Sequence, residues 1–304
     1  MFGQAAGCHD RVPGTMNRGE NMIKLIATDI DGTLLADGQT MPDPDYCKAI
    51  SRLLDDGIHF CVSSGRQYAS QCRLFAPFKD RIFNITENGA RVLYGQKELF
   101  CSVMTKKESE DLVRDTRKLG PAAECMYCTR DVAYFTTHDK VIHQKMRDKY
   151  LFNCQVVEDL EQLAEPCIKF SIGIHKEIEE PLYNWFIPKW EKTHDVTRGG
   201  NFISIMADSV NKGSALKRIQ EYLGIQPRET MAFGDNRNDL EMMKQAGWSV
   251  AVANARDIVK EAATFVTDSN NERGVLKVLE KVIEGGYRVP DSVRYPVPLC
   301  IDFQ

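Results

Sequence analysis

Asp29-Ile30-Asp31-Gly32-Thr33-Leu34 follows the apolar run Ile23-Lys24-Leu25-Ile26-Ala27. The run reads as a short buried strand, because it is nearly continuous in Ile and Leu. Two carboxylates come at once, and Gly32 then breaks the strand. An open α/β sheet carries its reactive groups at the carboxyl ends of its strands, where the loops leave a crevice. Two acids one residue apart can share a hard divalent cation, or divide the work of nucleophile and general acid/base. Alone, the pair also fits an ordinary solvated acidic turn. Other segments must decide.

Ile58-His59-Phe60-Cys61-Val62-Ser63-Ser64-Gly65-Arg66 is a second apolar strand, ending in a hydroxyl, a glycine and a cation. Ser64 can donate to an anion, Gly65 lets backbone N–H groups approach it, and a helix after Arg66 adds its positive end. Asn211-Lys212-Gly213-Ser214 sets a lysine at the mouth of a helix. Thr230-Met231-Ala232-Phe233-Gly234-Asp235-Asn236-Arg237-Asn238-Asp239 is again a strand giving way to acids. Acid pair, hydroxyl, lysine and second acid cluster make a set for phosphoryl transfer to an aspartate. A calcium loop of ~12 residues does not fit, since it would end at Thr40 or Ala246 and not at a bidentate Glu. No Gly-x-x-x-x-Gly-Lys-Ser/Thr occurs, which excludes a P-loop enzyme.

In that order, these segments resemble the haloacid dehalogenase superfamily of phosphohydrolases, most closely its Cof-type branch. The resemblance runs over residues 22 to 285. Ala253-Asn254-Ala255, Thr267-Asp268-Ser269-Asn270 and Gly274-Val275 look like that branch's closing segments, and Asn88-Gly89-Ala90 like its entry to a cap domain. Ser64 stands where the family more often has Thr, and Arg273 where the branch often has an acid. The resemblance implies a Mg²⁺-dependent phosphatase of small phosphorylated metabolites, working through an aspartyl-phosphate. Asp29 would be the nucleophile, Asp31 the general acid/base, and Lys212 the cation that pairs nucleophile and phosphoryl group. Ser64, Gly65, Arg66, Asn88, Arg198 and Asn238 would bind substrate. Asp29, Asp31, Asp235 and Asp239 would form the metal site, Asp31 through its backbone carbonyl, with Asp239 and Asn238 orienting ligands. A phosphomutase or phosphotransferase would use the same aspartyl-phosphate. A non-catalytic phosphometabolite sensor is a further reading, against which the intact Asp29–Asp31 pair argues.

Strands at 23–28, 58–63 and 82–86 alternate with helices near 44–56 and 67–76. The pattern returns with helices at 213–223, 238–246, 255–262 and 273–284 around strands 230–234, 248–252 and 264–267. Such alternation predicts right-handed parallel crossovers and a doubly wound, Rossmann-like α/β core. Between 91 and 198 the rhythm is less regular, with helical stretches at 105–119, 139–150, 158–164 and 176–192 and strands at 132–136 and 167–174, followed by one at 202–206. This segment reads as an inserted α+β cap, with the core at 22–90 and 199–290. Asn88-Gly89 and Arg198-Gly199-Gly200 are its expected hinges. Residues 1–21 read as a flexible extension, with Met22 a candidate for the natural start, and 291–304 as a tail.

Composition bounds the rest. The chain has 304 residues, 43% of them hydrophobic, which suits a two-domain globular protein. A formal charge of −4 offers no footprint for nucleic acid or an anionic membrane. No stretch reaches the ~18 apolar residues of a membrane span. The ten cysteines are scattered, and Cys61 and Cys167 sit in apolar runs, so a reducing cytoplasm is expected. Cys125-Met126-Tyr127-Cys128 lacks a second Cys or His pair at zinc-finger spacing. His59, within an apolar strand, reads as a core histidine. Tyr183, Trp185, Phe186 and Trp190 fit the buried face of a helix better than a substrate lid. The expected partner is a small phosphate ester, and the expected state a monomer or weak homo-oligomer.

Overall fold

The computed structural model describes residues 23–285. The expected extension and tail lie outside them. Two sheets organise the described residues. The first has eight strands: β1 (Leu25–Thr28), β2 (His59–Ser63), β3 (Phe83–Thr86), β4 (Arg91–Tyr94) and β5 (Lys97–Cys101), then, after a long insertion, β12 (Thr230–Gly234), β13 (Trp248–Val252) and β14 (Phe265–Thr267). Their order is β14-β13-β12-β1-β2-β3-β4-β5. β14 through β3 are parallel, and β4 and β5 are antiparallel additions.

The chain thus winds outward from β1 in one direction and from β12 in the other. Right-handed crossovers put the helices of the two runs on opposite faces, and a crevice opens where the order reverses. That switch point lies between β1 and β12, the strands that deliver the two acid clusters. The central parallel strands β1, β12 and β13 are buried on both faces, which is why they are continuous apolar runs, whereas the edge strand β14 is partly exposed. Helix Pro44–Asp55 shows how local signals start an element here. Asp43 accepts N–H bonds from Asp45 and Tyr46, Pro44 takes the first position, and Tyr46, Ala49, Ile50 and Leu53 make the buried stripe.

The second sheet is the cap: β6 (Cys125–Cys128), β7 (Ala133–Phe135), β8 (Cys154–Val156), β9 (Lys169–Gly173), β10 (His194–Gly199) and β11 (Phe202–Ala207). Its order is β10-β11-β9-β6-β7-β8, antiparallel except for β7 against β8. One face packs an apolar cluster that includes Leu112, Phe186 and Trp190, and the other a cluster around Ile142, Met146 and Phe152. Cys125 and Tyr127 fall in the first cluster, Met126 and Cys128 in the second. Strand alternation therefore points the two cysteines to opposite faces, which explains why they do not make a metal pair.

The boundaries expected at 91 and 198 shift. The stretch 91–101 is a hairpin on the core sheet, turning at Gly95 with φ +53°. Arg198-Gly199-Gly200 is no linker, because β10 pairs antiparallel with β11 from His194↔Ala207 to Gly199↔Phe202. The chain enters the cap after Cys101 and leaves it after Ala207. Two expected helices also differ. Only the turn Leu160–Gln162 forms within 158–164. The stretch 176–192 breaks into short helical pieces, including a π segment at Leu182–Phe186. Pro181 and Pro188, which cannot donate backbone hydrogen bonds, lie within it. Phe186 and Trp190 are core there, whereas Tyr183 is 39% exposed. His59 packs edge-on against Phe83.

Candidate active site

Asp29 stands one residue beyond β1, its N–H bonded to the Phe233 carbonyl of β12 at 3.0 Å. The ladder thus holds the ends of the two strands side by side. Lys212 opens the helix Lys212–Leu223, capped by Asn211 and Ser214. Its side chain is fully buried, and Nζ donates to Asp29 Oδ1 at 2.5 Å and Asp239 Oδ1 at 2.6 Å. A cation at a helix N-terminus opposes the helix dipole, and here two carboxylates outweigh that cost. Burial would strip the Lys212 proton, but Asp239 and Asp29 hold it on and raise the pKa.

The acids feel the same confinement. Burial pushes Asp29 well above the usual carboxylate range, opposed by Lys212 and helped by Asp239 and Asp235. Burial, then repulsion from Asp239, raises Asp235 to about 6, against the hydrogen bond from Thr33. Thr33 Oγ1 donates to Asp235 Oδ1 at 2.8 Å. Gly32 has φ +85°, and a Cβ there would sit 2.8 Å from Asp235 Oδ2, so only glycine allows this approach. Oxygens of Asp29, Asp235 and Asp239 lie within 4.8 Å of one another. An all-oxygen donor set with excess negative charge fits a hard divalent cation. Asp239 differs from the other two. Its Oδ1 takes Lys212, and its Oδ2 accepts the N–H groups of Asp235 and Asn236, both at 3.0 Å. It braces the loop and the lysine.

Asp31 is not a free acid at the crevice. Arg66 grips its carboxylate with two bonds, Nε to Oδ2 at 2.7 Å and Nη2 to Oδ1 at 2.6 Å. Arg66, expected to bind substrate, is thus committed to Asp31, and its guanidinium lies 4.9 Å from the ring centre of Tyr150 in the cap. Ser64 Oγ accepts from the Arg66 N–H at 3.2 Å. Asn88, in left-handed backbone at φ 57°, accepts from Asn238 Nδ2 at 3.1 Å.

These groups converge on a cavity of about 310 Å³ between core and cap. Asp29, Asp31, Ser64, Gly65, Arg66, Asn88, Asp235 and Asn238 line it, with Lys212 and Asp239 beneath. Arg198 does not line it. It bonds the Tyr183 hydroxyl at 2.9 Å and lines an adjoining cavity, which shares Asn88 and Asn238 with the first and reaches Lys212. The cap wall comes from residues the motifs do not mark: Met126, Met146, Tyr150, Phe152 and Phe202, with Lys145 stacked 4.7 Å from the Phe202 ring centre. Thr33 and Lys169 were equally unmarked. Lys169 did leave a signal, a lone cation inside Cys167-Ile168-Lys169-Phe170, since lysines are rarely buried unless paired.

A switch-point crevice with an acid pair, a buried lysine and a second acid loop is the site of a phosphatase or phosphotransferase. The chain belongs to the haloacid dehalogenase-like hydrolase family, whose model matches residues 26–279. It is 30% identical over 273 residues to 5-amino-6-(5-phospho-D-ribitylamino)uracil phosphatase YbjI of Escherichia coli (strain K12), covering 86% of this chain and 97% of that protein. To the phosphatase of the same name YcsE, from Bacillus subtilis (strain 168), it is 32% identical, over 84% of this chain and 94% of that one. A crystal structure from Eubacterium rectale is similar with TM-score 0.77 and 38% identity, over 86% of this chain and 99% of that one. Among the described residues no helix is long and apolar enough to cross a membrane.

Proposed function

We propose that this protein is a Mg²⁺-dependent phosphatase of small phosphorylated metabolites, working through an aspartyl-phosphate on Asp29. The observation that carries the reading is the buried triad Asp29–Lys212–Asp239, of which Asp29 lines the cavity and the other two lie beneath it. Asp29 is the carboxylate that both faces the cavity and touches the buried cation. It attacks phosphorus, while Lys212 keeps the two anions from repelling each other. Ser64 and the N–H groups beside it hold the phosphoryl oxygens. Asp31, once Arg66 frees one of its two oxygens, gives a proton to the leaving alcohol and then takes one from the attacking water. Mg²⁺, held by Asp29, Asp235 and the Asp31 carbonyl, would supply charge neutralisation and alignment for the transfer.

The cap wall supports a narrower substrate class. Tyr150, Phe152 and Phe202 offer flat apolar surface on the cap side of the cavity, Tyr150 beside Arg66 and Phe152 beside Lys169. Such a wall suits a phosphorylated polyol whose other end is a flat ring. That is also the chemistry in the names of the two curated relatives, so 5-amino-6-(5-phospho-D-ribitylamino)uracil is the first substrate to try. The test is release of free phosphate from a panel that contains it, sugar phosphates and nucleotides. Phosphate should accumulate from a single ester without any acceptor added. Transfer only in the presence of a second sugar would make the protein a phosphotransferase.

A further inference from the structure

Lys169 belongs to the cap, yet it reaches the catalytic loop of the core. It sits on β9 with its side chain 3% exposed, ion-paired with Glu87, whose side chain is 1% exposed. Its Nζ also donates to the Gly65 carbonyl at 2.7 Å. Gly65 is the middle of three residues whose carbonyls are all tied back. The Ser64 carbonyl accepts the Asn88 N–H and the Arg66 carbonyl the Glu87 N–H, each at 3.1 Å. The peptide unit is planar and trans, so the carbonyl of one residue and the N–H of the next point opposite ways. Fixing the Ser64 and Gly65 carbonyls therefore sets the directions of the Gly65 N–H and of the Arg66 N–H, which in turn holds Ser64 Oγ at 3.2 Å. Ser64, Gly65 and Arg66 line the cavity beside Asp29. Two of the three ties come from the turn Glu87–Asn88 of the core, whose residues hold left-handed backbone at φ 52° and 57°. The third comes from a cap side chain.

Stability alone does not account for the buried pair, because apolar residues of similar volume usually hold a fold as well or better. The bond to Gly65 gives the charge a task that an apolar residue could not perform. We propose that Lys169 is a positioning residue for phosphoryl transfer. From the cap it holds the Gly65 carbonyl and so aims the 64–66 loop at the phosphoryl oxygens. The loop is complete only while the cap is seated on the core. This rests on the reading of 64–66 as the phosphate-holding loop.

Lys169→Met alone would leave Glu87 buried and unpaired, and would lower stability whatever the role of the lysine. The informative variant is Lys169→Met with Glu87→Gln, which removes both charges and the donor to Gly65. Thermal unfolding, binding of inorganic phosphate by calorimetry, and kcat and KM on p-nitrophenyl phosphate and on a metabolite are measured together. The double variant should unfold close to wild type. Its kcat/KM should fall by about tenfold to a hundredfold, the scale of small misplacements at a reacting centre. Both substrates should lose by the same factor, and phosphate binding should weaken in parallel. Lys169→Arg, which keeps charge and donor, should retain most of both. A folded double variant that binds phosphate and turns over like wild type would overturn the role of Lys169. So would a loss confined to the metabolite, which would make Lys169 a selector of substrate. If wild type itself binds no phosphate, the reading of the loop fails and the inference with it.

Discussion

Asp29 has no substitute among the residues lining the cavity, since Asp31 is gripped by Arg66 and Asp235 by Thr33. Asp29→Ala should therefore abolish turnover while leaving the fold intact. Loss of a covalent nucleophile costs several powers of ten in kcat, each worth about 1.4 kcal/mol. Activity within about tenfold of wild type, or a phosphorylated residue other than Asp29 by mass spectrometry, would refute the mechanism. Lys212→Met should do two things at once. It removes the cation between two buried carboxylates, which typically costs about 3–5 kcal/mol when one partner of a buried pair is lost. It also leaves the phosphoryl group facing an unshielded nucleophile. Unfolding in urea, with EDTA present to exclude metal rescue, measures the first effect, and a stability equal to wild type would contradict the geometry described for Asp29 and Asp239.

Single elements carry the next level of argument. β1 and β12 are each followed at once by an acid, and their ladder holds Asp29 and Asp235 at one edge of the crevice. Neither strand could build the site alone. Their combined charge predicts a metal requirement: EDTA should remove activity, Mg²⁺ restore it and Ca²⁺ substitute poorly, because in-line transfer favours the tighter octahedron. The apo protein should also unfold at a higher temperature once Mg²⁺ is added, because a ligand that binds only the folded state stabilises it. Full activity in chelator, or no shift in the melting temperature, would rule out this cation. The helix Lys212–Leu223 follows the same logic. Its capping box closes the first turn so that Lys212 projects downward between the acids and not into solvent.

At the scale of the molecule, the cap does two jobs. Its wall of Tyr150, Phe152 and Phe202 faces the leaving group, so Phe202→Ala should lower kcat/KM for a ring-bearing substrate by about tenfold or more, the range for losing apolar contact in a pocket. A ring-free sugar phosphate should change much less. Arg198→Ala, which removes a bond to Tyr183 outside that wall, should change either substrate less than Phe202→Ala changes the ring-bearing one. Equal loss on all substrates with Phe202→Ala would mean that the wall supports the core and does not choose the ester. Lys169 is the exception within the cap, and chemistry and selection are therefore not cleanly divided between the two sheets.

The core and its acids were legible in the chain because each signal is local. A buried parallel strand must be a continuous apolar run, and its functional residues must follow it within a few positions. That is true of Asp29, Ser64 and Asp235, and the strands at 230–234 and 248–252 were read to the residue. The cap was legible only as an insertion. Its strands are short: β8 and β10 mix polar and apolar residues, and β6, apolar on both faces, spans four residues, so none leaves a strong period, and the edges expected at 91 and 198 are shifted by the hairpins to about 102 and 208. What the fold alone decided are the pairings between distant residues. Arg66 holds Asp31, Thr33 holds Asp235, and Lys169 crosses from cap to core to meet Glu87 and Gly65. Sequence determines which side chains can carry charge and where strands end. Which charge faces which is set by packing, because partners far apart in the chain meet only when the two sheets close on one cavity.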